Sequence, residues 1–479
     1  MNAWLLLAVI LLPIIGGVAV YTLKDRNDLH FVTMFLVLAT SLGVWFLIFS
    51  VDETQSYELL RFTDQLVFKL SFDRLGKFFA GIVSALYPLT TLYAYEYLEH
   101  DEEQNGFFLF FLIAYGVTIG VTMSADFFTL YCFYEMLTLS TMPLVLHEKN
   151  KQSVRAARTY LYLSIGGASL AFASMVYVTA CNNVLEKTAL TQLFYLVGFF
   201  GFGVKAAIFP VHYWLPKASV APTPVTALLH AVAVVKAGVF AIIRLTYCIY
   251  GTELLRGTFA QYIAIGFAIF TIFFGTAKAV KETHFKRRMA YSTVANLSYI
   301  LFGVLLMNTQ GLTAGLLHMA FHAEMKILLF FSVGSVMHHT GREYIYEIDG
   351  IGRKMPVTFL CYLTGALALT GIPPFSGFVS KAYLLMAGIA DGTAIGITGT
   401  VVLLISALLT AIYTLTTARR AFFPDKNSDL SGIDEIHECG WRMRTVMIVL
   451  ACGILVTGLC AGSIASSAAS AAEMISRWL

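Results

Sequence analysis

Five charged side chains stand inside long runs of otherwise apolar residues: Glu135, Lys205, Lys236, Lys326 and Lys381. The same runs carry His212, His230, Arg244, His318, His322 and Glu324. An ionisable group within a lipid bilayer costs at least about 2.5 kcal/mol on the most lenient scale. Groups kept at that cost mark a route for ions or protons, with opposite charges paired. Lysine suits the task, because burial shifts its pKa readily and lets it gain and lose a proton during turnover. A neighbouring glutamate holds such a lysine charged, and moving the glutamate away releases the proton.

Each position also has a plainer reading. Glu135 ends the run Asp126-Phe-Phe-Thr-Leu-Tyr-Cys-Phe-Tyr-Glu135, far from either end of its apolar stretch, so a functional charge is favoured over a structural ion pair. Lys205 sits in Gly203-Val-Lys-Ala-Ala just before Pro210, and Lys236 follows His230 on the next stretch; both read as functional. Arg244 lies near a helix end and reads better as snorkelling or structurally paired. Asp126 reads better as a helix cap. His318, His322 and Lys326 are spaced i, i+4, i+8 and share one helix face. Such a stripe suits a hydrogen-bonded relay. Two histidines one turn apart could also ligate a metal or haem. Lys326 one turn on would repel a cation, and no third ligand is evident, so no metal or cofactor is expected. Glu324 points away from the stripe and is expected to neutralise Lys326 or a neighbour's charge. Lys381 follows Gly371-Ile-Pro-Pro-Phe-Ser-Gly-Phe-Val-Ser. The glycines and paired prolines predict an unwound segment, with free carbonyls and room for water beside the lysine. The alternative is a lysine snorkelling from a helix end.

Membrane helices must hold these groups. The chain has 479 residues, 58% hydrophobic and only 13% charged, with a mean hydropathy of +0.74. A soluble protein carries about 25% charged residues. Composition thus excludes a soluble enzyme, a disordered chain and a nucleic-acid binder; the length of the runs excludes an outer-membrane barrel. Seven scattered cysteines form no C-x-x-C pair and read as small buried hydrophobes. Fourteen stretches are long enough to span, near 3–23, 30–50, 75–98, 106–123, 127–146, 158–181, 190–221, 222–250, 257–280, 288–307, 311–337, 355–390, 395–418 and 444–465. The first lacks a basic leader and reads as a membrane helix, not a cleaved signal. Two stretches, 190–221 and 355–390, are too long for one span and contain Pro210 and Pro216, or Pro373 and Pro374. Proline breaks a helix, and broken backbone at membrane depth is tolerated only against protein or a wet cavity. Two interrupted helices in matching places point to a transporter built from repeats. The helix pattern alone carries that reading, since no residue-level repeat is evident. The longest loops, near 51–74 and 419–443, hold roughly 25 residues, too few for a soluble catalytic unit. Any chemistry therefore lies in the membrane body or in partner subunits.

Loop charge gives orientation. One set of alternate loops holds Lys24, Arg26, Lys149, Lys151, Arg155, Arg158, Lys217, Lys278, Lys281, Lys286, Arg287, Arg288, Arg342, Arg353, Lys354, Arg419, Arg420, Lys426, Arg442 and Arg444. The other holds only Arg61, Lys69, Arg74, Lys77, Lys187, Arg256 and Arg477. The positive-inside rule then places both termini on the non-cytoplasmic side of a cell membrane.

The run Lys205-Ala-Ala-Ile-Phe-Pro-Val-His-Tyr-Trp-Leu-Pro-Lys-Ala, followed by Ala221-Pro-Thr-Pro-Val-Thr-Ala-Leu-Leu-His230, resembles the signature of the antiporter-like proton-pumping subunits of respiratory complex I. The same family includes large subunits of Mrp-type cation/proton antiporters and of energy-converting membrane hydrogenases. Arg288-Met-Ala-Tyr-Ser-Thr293, His318-Met-Ala-Phe-His-Ala-Glu-Met-Lys326 and the Gly371–Lys381 run extend the resemblance over about 126 to 381. It implies an all-α fold of about fourteen membrane helices with two inverted five-helix repeats, each with a broken helix. N-terminal helices would fill 1–105, the half-channels 106–250 and 257–418, and a loop and last helix 419–479. It implies that Glu135 pairs with Lys205 and sets its protonation. Lys236 with His230 would relay protons along a central axis, His318, His322 and Lys326 would continue it, and Lys381 would serve the exit. Asp126, His212, Arg244 and Glu324 would support the relay. The implied partners are other membrane subunits, homologous ones included, with protons and, in the Mrp case, sodium as the ions. Tyr134, His284 and Glu324 depart from common family residues without removing a key charge, and they leave the branch open between complex I, Mrp and hydrogenase. A haem- or quinone-binding oxidoreductase core is the competing class.

Overall fold

The computed structural model describes residues 2–23, 25–51, 53, 55–424 and 432–476. Lys24, Lys426 and Arg477, used above for loop charge, lie outside the described residues. In chain order the helices are α1 (Asn2–Tyr21), α2 (Arg26–Ser50), α3 (Arg74–Tyr97), α4 (Gln104–Thr122), α5 (Phe127–Val145), α6 (Lys151–Ala180), α7 (Ala189–Gly203), α8 (Trp214–Ala218), α9 (Thr223–Ala231), α10 (Val234–Ile243) and α11 (Thr252–Leu255). They continue as α12 (Phe259–Lys281), α13 (Phe285–Leu305), α14 (Thr309–Thr340), α15 (Pro356–Thr370), α16 (Ser376–Ala390), α17 (Ala394–Phe422), α18 (Trp441–Leu459) and α19 (Ala461–Ser476). A single antiparallel hairpin, β1 (Ser56–Arg61) and β2 (Val67–Ser71), follows α2.

Each stretch expected to span falls on one or more of these helices. Ten spans among the described residues are long and apolar enough to cross a membrane. Short polar side chains start the helices. Asp25, Asp73, Asp126, Asn150, Thr188, Asn308 and Thr393 each accept a first-turn backbone N–H, the usual satisfaction of a helix start. Gly341 and Gly371, at φ +66° and +94°, end α14 and α15 in a left-handed conformation that glycine adopts without strain.

Three features differ from the sequence reading. The stretch 222–250 is not one helix: it is interrupted at Val232–Ala233, where the Val232 and Ala233 N–H groups both turn back to Leu228 O, and it ends in a π-helical turn, Arg244–Ile249. The stretch 444–465 stops at Leu459, and α19 follows as a separate helix packed against α14 and α3. The loop 51–74 contains the β-hairpin. Ser71 N donates to Met123 O at 2.9 Å and Ala125 N to Lys69 O at 3.2 Å, which fastens the hairpin over the α4–α5 turn.

Burial is graded toward the middle. The span Thr223–Ile249 is wholly buried and Thr309–Thr340 is 94% buried, whereas the outer spans are as little as 28% buried. Outer helices turn large apolar side chains such as Phe31, Phe49 and Leu408 outward. The two central spans carry His230, Lys236, His318, His322 and Lys326, so protein rather than lipid surrounds these polar groups.

The α15–α16 break depends on backbone meeting backbone. A Cβ at Gly377 would lie 1.8 Å from the Ala368 carbonyl oxygen, and neither group can rotate away. Gly377→Ala is predicted to cost about 1–3 kcal/mol, the usual range for overpacking. It should lower the thermal midpoint of the solubilised protein; an unchanged midpoint contradicts this packing.

Candidate functional site

α7 ends at Gly203, and helix resumes only at Val211–Trp214. Specific bonds hold the break open. Ala207 takes φ +56°, Ile208 N donates to Gly203 O at 3.0 Å, and the Trp214 indole N–H donates to Val204 O at 2.7 Å. Lys205 sits in this break, fully buried. Its ammonium donates to the backbone carbonyl of Tyr134 and lies 3.5 Å from the centroid of the Tyr134 ring. Glu135 is the next residue on α5. Among the described residues it makes no ion pair, and its Oε1 is buried without a hydrogen-bond partner. Tyr134 rather than Glu135 takes the ammonium, and the implied pair is not a salt bridge in this structure. Gly238 on α10 allows the next approach: a Cβ there would lie 2.5 Å from Ala206 N and 2.8 Å from the Lys205 carbonyl carbon.

From α10 the polar row crosses to α14. Lys236 Nζ lies 2.7 Å from His322 Nδ1. The His322 and His318 rings stand 5.9 Å apart between centroids. His318 Nδ1 is 2.9 Å from Ser380 Oγ, and its Nε2 is 3.3 Å from Asn296 Oδ1. The Asn296 amide nitrogen donates to Ser292 O at 2.8 Å, so Oδ1 accepts. That places a proton on His318 Nε2 and leaves Nδ1 to accept from Ser380. Lys381 follows Ser380 and donates to Leu369 O at 2.6 Å and Thr370 O at 3.0 Å. Those carbonyls belong to the last turn of α15, where helix interruption leaves acceptors unused. The Tyr299 ring stands between, 5.5 Å from the His318 ring and 5.4 Å from Lys381 Nζ.

The remaining residues flank the row. Lys326 donates to Met289 O on α13 at 3.1 Å. His230 packs on Phe330, with both ring nitrogens buried and without partners. His212 lies off the row, between Phe209 and Phe274. Asp126 caps α5 by accepting Thr129 N at 2.7 Å. Arg244 grips Asp73 with both terminal nitrogens, at 2.5 and 2.8 Å. Glu324 does not neutralise Lys326. Two residues along a helix is a turn of about 200°, so Glu324 faces α18, where Thr457 donates to it at 2.9 Å.

Sequence reasoning missed the neutral polar wall of α13. Tyr413 donates to Ser292 Oγ at 2.6 Å and Tyr299 to Ser406 Oγ at 2.7 Å, while Asn296 orients His318. Ser292, Asn296 and Tyr299 are spaced i, i+4, i+7. That helical spacing within an apolar run was the available signal. Chemically, two segments of the row are within hydrogen-bond reach, Lys236–His322 and Asn296–His318–Ser380, the contact that proton transfer requires. The His322–His318 step needs a bridging hydroxyl or water.

The Arg244–Asp73 pair joins the π-helical turn to the start of α3, away from the row. Arg244→Ala strands a largely buried carboxylate, which costs about 3–5 kcal/mol. The expected result is a lower thermal midpoint with ion flux per assembled complex retained; lost flux at normal stability contradicts the structural role.

Residues 124–410 match the family described as "NADH:quinone oxidoreductase/Mrp antiporter, TM". NADH-quinone oxidoreductase subunit N of Desulforudis audaxviator is 30% identical over 406 residues, 79% of each chain. A Na(+)/H(+) antiporter subunit of Alkalihalophilus pseudofirmus is 29% identical over 431 residues, 82% of this chain. The chain spans about half the length of that antiporter protein, 52%. Among solved structures, a chain of the membrane-bound sulfane sulfur reductase, an archaeal respiratory membrane complex, superposes with TM-score 0.86 at 22% identity, covering 99% of this chain and 98% of that one. A chain of the Mrp complex from Dietzia sp. DQ12-45-1b gives 0.85 at 19%, covering 98% and 97%. One of respiratory complex I from Thermus thermophilus gives 0.84 at 19%, covering 99% of each. These three likenesses carry the fold. The family match over more than half the chain, together with the 30% identical relative, carries descent: this multi-pass membrane chain belongs to the NADH:quinone oxidoreductase/Mrp antiporter family of membrane subunits.

Proposed function

We propose that the chain is a proton-translocating, antiporter-like subunit of a multisubunit membrane complex, driven by a coupled redox module. The observation that carries this reading is the contact of Lys236 with His322 between the two most buried spans, continued through His318 and Ser380 to Lys381. An ammonium in contact with an imidazole is a proton donor beside an acceptor; transfer between them needs a local field that offsets the roughly 4-unit gap between their ordinary pKa values. Lys205, influenced by Glu135, receives protons at the first break. Lys236, His322 and His318 pass them on, with His230 and Lys326 shifting the local field. Lys381 releases them at the second break. Residues 106–250 and 257–418 form the two half-channels, between the N-terminal helices of 1–105 and the closing segment 419–479. The partners are other membrane subunits, among them homologues of this chain. Both termini lie on the non-cytoplasmic side of the cell membrane. The chain supplies no catalytic site of its own. A second reading, exchange of sodium for protons, is supported by the name of the 29% identical relative.

Proton uptake into inverted vesicles bearing the whole complex tests this, with the driving reaction followed in parallel. Lys205→Ala and Lys381→Ala are each predicted to cut uptake about tenfold or more, equivalent to at least about 1.4 kcal/mol on the barrier. Normal uptake at a normal driving rate contradicts the relay. Uptake that requires added sodium selects the second reading.

A further inference from the structure

Glu324 is the partly buried carboxylate on α14 that the central row does not use, and it borders a cavity outside that row. The cavity, of about 740 Å³, lies between α2, α3, α14 and α19. One α3 face lines it from Arg74 and Lys77 down to Leu86, a distance of roughly 18 Å at the rise of a helix. It therefore runs from the end of the molecule that carries the β-hairpin to the middle of the spans. At its mouth Arg74 pairs with Glu53 at 2.6 Å and Lys77 with the same carboxylate at 3.4 Å. Along one wall α19 presents Ser463, Ser466, Ser467 and Ser470. Ser466 and Ser467 donate to Ser463 O within their own helix, so their lone pairs remain free toward the cavity. The opposite side is an apolar, outward-facing rim formed by Trp45 and Phe49 of α2, both exposed. At depth, Ala320 and Glu324, one turn apart, form the α14 side.

We propose that Glu324 is a proton-binding site separate from the central row, reached through this cleft from the β-hairpin end of the molecule. A lone carboxylate at this depth, with one Thr457 hydroxyl donor and no cation paired to it among the described residues, is costly as an anion and stable as an acid. The serine hydroxyls and the charged mouth form a polar strip along an otherwise mostly apolar groove, which has room for a file of waters beside that strip. The charged groups facing the cavity are Arg74 and Lys77 from α3 and Glu53 from the loop before it; α18 faces Glu324 with Thr457, and α19 lines the cavity with serine hydroxyls. His322 and Lys326 lie on the other side of α14. The site does not depend on the central row carrying protons.

Two measurements on the whole complex in native vesicles test it. Dicyclohexylcarbodiimide adds a protonated carboxyl O–H across its C=N bond, giving an O-acylisourea that rearranges to a stable N-acylurea. Mass spectrometry should find that adduct on Glu324, decreasing as the pH is raised and absent in Glu324→Gln. Ser467→Cys should react with a membrane-impermeant charged thiosulfonate added from the β-hairpin side, about tenfold or more faster than Ile412→Cys on the outward face of α17. Three results overturn the proposal. They are no adduct on Glu324 at any pH, a Ser467→Cys rate no faster than Ile412→Cys (a lipid-filled cleft), and suppression of the adduct by sodium across the whole pH range (a sodium site). All three are read without proton pumping, so they stand apart from the fate of the central relay.

Discussion

Keeping an ammonium group at bilayer depth is the constraint from which the rest of this architecture follows. Each such group costs about 2.5–3.5 kcal/mol at a helix centre on insertion scales. Lys205, Lys236, Lys326 and Lys381 are all buried. The fold meets the cost by putting the charged helices innermost and letting outer helices face lipid. Thr223–Ile249 and Thr309–Thr340 are the most buried spans for that reason.

The solvation itself comes mostly from backbone carbonyls. Lys205 is held by the Tyr134 carbonyl, Lys326 by that of Met289, and Lys381 by those of Leu369 and Thr370. Only Lys236 is held by another titratable group, His322. This division has a physical consequence. A carboxylate in salt-bridge contact would hold the proton on a lysine against release. A neutral carbonyl solvates the ammonium more weakly and lets it go. The second helix break thus supplies the carbonyls that hold Lys381, whereas Lys205, placed in the first break, is held from α5.

Much of this was legible in the sequence, and the exceptions have identifiable causes. Length and hydropathy located the spans, and proline with glycine located the breaks after Gly203 and Thr370. The interruption at Val232–Ala233 contains neither residue and so left no mark in the sequence. The turn between α18 and α19 hides within an apolar run, and the β-hairpin is too short and polar to stand out from a loop. In the site, types and spacing revealed the charges, because charge in an apolar run is conspicuous. Their partners were not legible. Asn296 and Ser380 are neutral, and the Tyr134, Met289 and Leu369 carbonyls have no signature in a sequence. The position of Glu324 is the instructive miss: charge suggested pairing with Lys326, whereas helix geometry sends it to the opposite side.

The central claim is that Lys236 exchanges its proton with His322 rather than serving as a fixed charge. Proton flux in vesicles carrying Lys236→Met and Lys236→Arg tests it most directly. Arginine keeps the charge and a donor but does not release its proton at physiological pH. The account predicts that both variants lose flux while the complex stays assembled. Full flux in Lys236→Arg with none in Lys236→Met would show that only the charge matters, and would contradict a relay through this lysine.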